Sequence, residues 1–252
     1  MNTLRRANPL SLLAAAVAVT LAVLATVDWV SAVVVLAGEL ALLPLLRIRP
    51  AILLRFWPVL PAALLAGYAT ALLAEKTGEV LVQAGPLLFT TGSVAAGTAI
   101  ALRGLAIALP GLFLLTAVDP TDLADALAQK LKLPERFVLG ALAAVRLVGL
   151  LVEEWRTLGL ARRARGAGSS SGLARLKDFP GQALALLVQA VRRSSRLAAA
   201  MEARGFGAGP RTWSRTSTFS PLDAAVAGYG VLLGGGAVAA ALAAGTFNFI
   251  LS

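Results

Sequence analysis

Apolar positions in this chain fall in runs of roughly twenty residues, without the short alternating rhythm of an element that is half buried and half wet. Pro9 to Val27 is the first run, Trp29 to Leu46 the second, and Phe56 to Ala74 the third. Each has about the length and apolarity a helix needs to cross a bilayer. Pro58 and Pro61 stand near the start of the third run, where a helix tolerates proline best. From Pro86 to Val118 the run is about 33 residues, too long for one crossing and without a turn that would make two. The pattern places the fourth span at Gly97 to Val118 and leaves Pro86 to Ala96 irregular or at the surface. A fifth span covers Asp223 to Leu251, with Gly230 and Gly234 on a small-residue face suited to close helix contact.

Between the fourth and fifth runs the punctuation is that of water-facing helices. Asp119 can cap, Pro120 fits the first helical position, and Asp122 lies in the first turn, where the helix dipole favours a negative charge. Lys130 and Lys132 finish that helix at its negative end, and Pro134 restarts the chain. Glu135 to about Arg165 reads as a second helix, apolar in its first half and polar in its second, stopped by Gly166 as a left-handed cap. Gly166 to Gly172, "GAGSSSG", reads as a flexible linker. Pro180 is expected to open a third helix, which Gly205 ends. The same three letters thus close two long helices: Ala164-Arg165-Gly166 and Ala203-Arg204-Gly205.

Composition makes the spans firm. Hydrophobic residues are 58% of the 252 and charged residues 14%, whereas a soluble domain has about half and about a quarter. The first run has a basic start and an apolar middle like a signal peptide, but further spans follow and no small-x-small site ends it, so it is expected to be retained. With no cysteine and no histidine, disulfides, thiolate metal sites, cysteine nucleophiles and histidine bases are excluded. A Walker A loop is missing too, so the chain does not house ATP hydrolysis in that form.

The net charge of +10 would suit anionic lipid or nucleic acid, but in a chain with several spans its placement is read first as topology. Arg5 and Arg6 precede the first span, and Arg47, Arg49 and Arg55 lie between the second and third; Asp28 and the Glu75-Lys76-Glu79 segment occupy the alternate loops. The positive-inside rule then puts the amino terminus and residues 119–215 in the cytoplasm. That segment holds 16 of the 23 Lys and Arg residues against 8 of the 13 acidic ones. Five spans leave the carboxyl terminus outside. Within the spans, Glu39 and Arg103 each cost about 2.5–3.5 kcal/mol at a helix centre, so both are expected to reach an interface, Glu39 toward Arg47 or Arg49.

The expected fold is therefore all-α: a polytopic protein of the cytoplasmic membrane with about five transmembrane helices. Residues 1–118 carry spans one to four, 119–215 form a helical cytoplasmic domain, and 216–252 carry the last span. Arginine in a last turn contributes about 0.3–1 kcal/mol through the dipole, and glycine is the preferred cap, so one Ala-Arg-Gly needs no function. Two of them present two cationic tips, on helices whose surface is too apolar to face water. Asp119, Asp122 and Asp125 also form a D-x-x-D-x-x-D pattern. A membrane-embedded prenyl-diphosphate transferase would use such a cluster to hold magnesium, but the second acidic cluster it needs is missing. A third class is a scaffold binding anionic lipid or nucleic acid, for which any Lys or Arg would serve as well as Arg165 and Arg204.

From Val118-Asp119-Pro120 through Leu133-Pro134 and the Arg146 helix to the two triplets and Phe206-Gly207, the chain resembles a known family. That family is the T component, or transmembrane coupling subunit (EcfT/CbiQ-like), of energy-coupling factor (ECF) transporters. The family often has a proline soon after the arginine matching Arg146, and "RLVGLL" has none. The resemblance implies a non-enzymatic subunit without metal or cofactor, linking two ABC-type ATPase subunits to a substrate-binding S component for vitamin or trace-metal uptake. It implies no nucleic-acid partner. It further implies two cytoplasmic coupling helices whose ends, Ala164, Arg165 and Gly166 on one and Ala203, Arg204 and Gly205 on the other, dock in grooves on the two ATPases.

Overall fold

A computed structural model describes residues 7–246 apart from 27, 47–56, 85–86, 167–171, 208, 210, 211 and 214. Arg5, Arg6, Arg47, Arg49, Arg55, the middle of the 166–172 linker and the chain after 246 lie outside the described residues. In chain order the elements are α1 (Pro9–Ala25), α2 (Trp29–Leu46), α3 (Val59–Leu73), β1 (Val80–Ala84), β2 (Leu87–Thr90), α4 (Thr91–Ala117), α5 (Pro120–Gln129), α6 (Glu135–Ala164), α7 (Gly172–Ala203) and α8 (Pro221–Ala243). The chain falls into two units, one of Met1–Asp119 with Thr218–Ser252 and the other of Pro120–Ser217.

The first unit is mostly helical and apolar. Helices α4 and α8 are long and apolar enough to cross a membrane, while α1, α2 and α3 are shorter apolar helices. Its packing inverts the usual size rule. Large side chains such as Leu64, Leu65, Leu73, Leu115 and Leu232 are exposed, whereas the buried positions of α3 are Ala63, Gly67 and Ala71 and those of α8 include Gly230, Gly234, Ala237 and Ala241. In lipid no hydrophobic force separates leucine from solvent, so helices associate through small residues that let backbones approach.

Two crossings depend on this. On α3 and α4 the glycines face each other: a Cβ on Gly67 would lie 2.6 Å from the Gly97 carbonyl oxygen, and one on Gly97 would lie 2.5 Å from that of Gly67. On α1 and α8 the backbone of Gly230 lies against Ala15, and Gly234 against Ala18 and Ala22. A small core of Val19, Val23, Val35, Ala106 and Ala237 fills the space among α1, α2, α4 and α8.

A buried polar knot fixes where α1 and α8 begin. Asp223, third residue of α8, accepts from Ser220 N at 2.6 Å and Ser220 Oγ at 2.9 Å, closing a capping box. Its other oxygen accepts from Ser11 Oγ at 3.0 Å and from the backbone N–H of Asn8. Asn8 in turn caps α1 through the N–H of Leu10 at 3.0 Å.

Four expectations need correction. Against the expectation of an irregular or surface segment over Pro86 to Ala96, Leu87 to Ala96 is regular: β2 pairs antiparallel with β1, Ala84 opposite Leu87, so the fold is all-α with one hairpin added. The fourth long helix starts at Thr91, not Gly97, because Thr90 and Ser93 cap each other's backbone N–H at 3.3 and 3.0 Å. Pro180 does not open its helix, since α7 begins at Gly172 and carries Pro180 inside. Proline there removes only the bond to the carbonyl four residues back, and the flanking turns carry the helix through.

A charge in the apolar runs is the fourth correction: Glu39 does not reach an interface but is 3% exposed, among the helices. Arg103 instead reaches the end of a neighbouring helix, where its Nη2 donates at 2.8 Å to the carbonyl of Leu24, one of the orphan acceptors at the end of α1. Lys76 serves α3 as Arg103 serves α1, donating at 2.9 Å to the carbonyls of Ala71 and Leu72.

Candidate coupling site

In the second unit α5 and α6 pack through Ala124, Ala128 and Val138, with Leu127, Leu142 and Trp213 against them. Helix α6 runs unbroken over 30 residues, which agrees with the missing proline after Arg146. Helices α6 and α7 lie antiparallel, as contacts at three levels fix. Near the end of α6, Arg162 reaches Asp178 at 3.8 Å. At the middle, Glu154 pairs with Arg193, Gln182 Nε2 donates to the Trp155 carbonyl at 2.6 Å, and the rings of Trp155 and Phe179 are 5.3 Å apart. At the start of α6, Arg136 donates at 2.7 Å to the carbonyl of Gly207, just past α7.

Antiparallel helices that each end in Ala-Arg-Gly carry those ends in opposite directions. At about 1.5 Å per residue, the 30 residues of α6 separate the two triplets by on the order of 40 Å. One platform thus presents two remote tips.

Both tips share one backbone geometry. Gly166 and Gly205 have φ of +71° and +74°, the left-handed region that glycine enters without strain. The N–H of Gly166 donates to Arg163 O at 3.0 Å and that of Gly205 to Glu202 O at 2.9 Å, while Phe206 N reaches Met201 O at 3.0 Å. At Gly205 these are the two bonds of a Schellman cap, and Gly166 makes the inner one of that pair. Helix α8 supplies an internal control, because it ends Ala243-Ala244-Gly245 with the same bonds: Gly245 N to Leu242 O at 3.1 Å and Thr246 N to Ala241 O at 3.1 Å. The cap therefore requires the glycine and is indifferent to arginine.

Among the described residues neither the Arg165 nor the Arg204 guanidinium has a hydrogen-bond or ion-pair partner, and both residues are exposed. Their neighbours are engaged: Arg146 donates to Thr121 Oγ1 at 3.2 Å, Arg163 to the Gly159 carbonyl at 3.3 Å, and Arg215 pairs with Asp122 at 3.3 Å. A free guanidinium offers five donors in a rigid fork suited to carboxylates and carbonyls. Arg204 also borders a cleft of about 1210 Å³ with Leu197, Met201, Phe206 and Arg146, whereas Arg165 is not part of it.

Arg136 makes a contact near the second triplet that the sequence reading passed over. A cation in the first turn of a helix opposes the dipole, which signals a specific partner elsewhere, and here it braces the segment just after the second triplet. The D-x-x-D-x-x-D pattern fares differently. Asp122 is engaged by Arg215, and among the described residues no three His, Cys, Asp or Glu side chains are grouped to hold a metal.

Comparison with known proteins bears on the same segment. The sequence model of the family CbiQ, described as cobalt transport protein, matches residues 1–213. Over 105 residues the chain is 37% identical to a protein of Bacillus selenitireducens named energy-coupling factor transporter transmembrane protein EcfT, covering 38% of this chain and 39% of that one. A protein of the same name from Brevibacillus brevis is 41% identical over 93 residues, 36% of this chain and 35% of its own. The chain thus spans less than two fifths of the length of either relative in these alignments. The family match is wider: with residues 1–213 of 252 matched, this chain belongs to the CbiQ cobalt transport protein family.

Proposed function

We propose that the chain is the membrane-embedded coupling subunit of an ECF-type importer for a vitamin or a trace metal, multi-pass in the cell membrane. It passes the ATP-driven motion of two ABC-type ATPase subunits to a substrate-binding S component and performs no chemistry itself. The observation that carries this reading is the pair of unpartnered guanidiniums on matching caps, on the order of 40 Å apart at opposite ends of α6 and α7. A cap alone explains the glycines, as α8 demonstrates, and leaves the arginines without work. Arg165 and Arg204, each with its flanking alanine and glycine, are the ATPase contacts in this reading. The names of the two EcfT relatives and the exposed Phe137, Val145, Val148, Leu184 and Leu187 on α6 and α7 support it, since such surface calls for partner helices.

Affinity purification of the tagged chain from its native membrane tests the assembly. Two ABC-type ATPase chains and one small membrane protein are expected to copurify. A stable, transport-competent homo-oligomer without ATPases would overturn the reading.

Sidedness has its own test. Residues 119–215 belong in the cytoplasm, so Ser170→Cys in the naturally cysteine-free chain is expected to resist an impermeant maleimide in intact cells and to react once they are opened. Labelling of intact cells means the orientation is inverted.

A further inference from the structure

Among the described residues, Glu39 is a side chain whose surroundings contradict its chemistry. It lies 3% exposed within α2, and both of its carboxylate oxygens lack a hydrogen-bond partner among the described residues. Buried polar groups in folded proteins nearly always find partners, so such an orphan requires an explanation. Beside it is a cavity of about 130 Å³ walled by Leu12, Val19, Phe113, Leu114, Val226 and Leu233. Tyr229 lines the cavity too, but its hydroxyl is already spent on the Gly38 carbonyl at 2.9 Å. Pro110 also lines it. The site thus combines apolar walls with the Glu39 carboxyl and, among the described residues, offers that carboxyl no free side-chain donor.

A group that pairs with the ionised carboxylate must bring the donors and the positive charge itself, and present carbon to the walls. We infer that the Glu39 cavity binds a primary ammonium carried on a short apolar body, with the carboxylate as its counter-ion. The pair so formed is neutral, which an apolar wall tolerates far better than either charge alone. Size limits the body: an apolar cavity of about 150 Å³ holds one benzene, so about 130 Å³ takes a group of about five or six heavy atoms. Such an ammonium could belong to a free amine or to the headgroup of an aminophospholipid.

The test uses the full chain in its purified complex, reconstituted in phosphatidylcholine nanodiscs, with radiolabelled n-butylammonium as the probe and 1-butanol as its neutral counterpart. Saturable binding of butylammonium is expected, about tenfold or more tighter than that of butanol, as a charge-assisted hydrogen bond allows. Glu39→Gln should abolish that preference while leaving butanol binding unchanged. It should not impair folding, because the carboxylate it replaces makes no internal hydrogen bond. Ala16 also lines the cavity, so Ala16→Phe, which fills it and keeps the carboxylate, should exclude both probes. Repeating the titration in phosphatidylethanolamine separates the sources: loss of butylammonium binding there assigns the site to the headgroup, and its persistence assigns it to a free amine. Equal binding of butylammonium by wild type and Glu39→Gln, or equal binding of the two probes by wild type, overturns the inference.

Discussion

Replacing both Arg165 and Arg204 with alanine is expected to strip the ATPase chains from the purified complex, while either single change only weakens their retention. Removing one guanidinium leaves acceptors in a partner's groove unpaired, which costs about 1–3 kcal/mol, or about 5- to 150-fold in affinity. One anchor then still holds the platform. Losing the second removes the gain from linked binding, typically about a hundredfold or more, so the double variant keeps almost no ATPase. The caps survive both changes, because α8 makes the same turn with alanine before its glycine. Lysine should rescue poorly, since a point charge cannot reproduce the planar fork. Arg192 and Arg196, exposed within α7 and away from either tip, are the control. If their double alanine variant releases the ATPases as readily, net charge is the signal and the triplets are ordinary helix ends.

Alanine at Gly97 should destabilise the protein, whereas alanine at Gly111 on the same helix should not. A methyl on Gly97 collides with the Gly67 carbonyl at 2.5 Å and with Ala71 at 2.8 Å, and a backbone oxygen has no rotamer by which to yield. Helices α3 and α4 must move apart, at a cost of about 1–3 kcal/mol as for overpacked cores generally. Gly111 has nothing within 4 Å of the same methyl, so there alanine is neutral or raises stability by up to about 1 kcal/mol through helix propensity. Thermal unfolding of the two variants in detergent decides it: midpoints lowered alike would mean the crossing is looser than its geometry.

The contrast also explains what the sequence disclosed. Gly230 and Gly234 stood out because they recur four residues apart in one run, while Gly67 and Gly97 sit thirty positions apart on different helices, and only the folded chain reveals that they meet. Punctuation was legible where one residue suffices. Pro120, Pro134, Gly166 and Gly205 bound their helices as their chemistry demands. The Thr90–Ser93 box was missed because serine stands where glutamate or glutamine usually signals the motif. Pro180 misled because a proline that starts a helix and one carried inside it look alike in sequence. The two arginine tips were readable as a repeated triplet; that they point to opposite ends follows from the antiparallel pairing of Arg136 with Gly207 and Arg162 with Asp178.

The knot between Asn8 and Asp223 has a consequence in time. These residues are 215 positions apart, and at about 5–20 residues per second a ribosome needs roughly ten to forty seconds to make the stretch between them. For that interval the Ala15, Ala18 and Ala22 face of α1 is uncovered and the amide of Asn8 waits for an acceptor. A helix made before α8 is thus among the last to be finished, and a chain released before α8 is complete would keep that seam open.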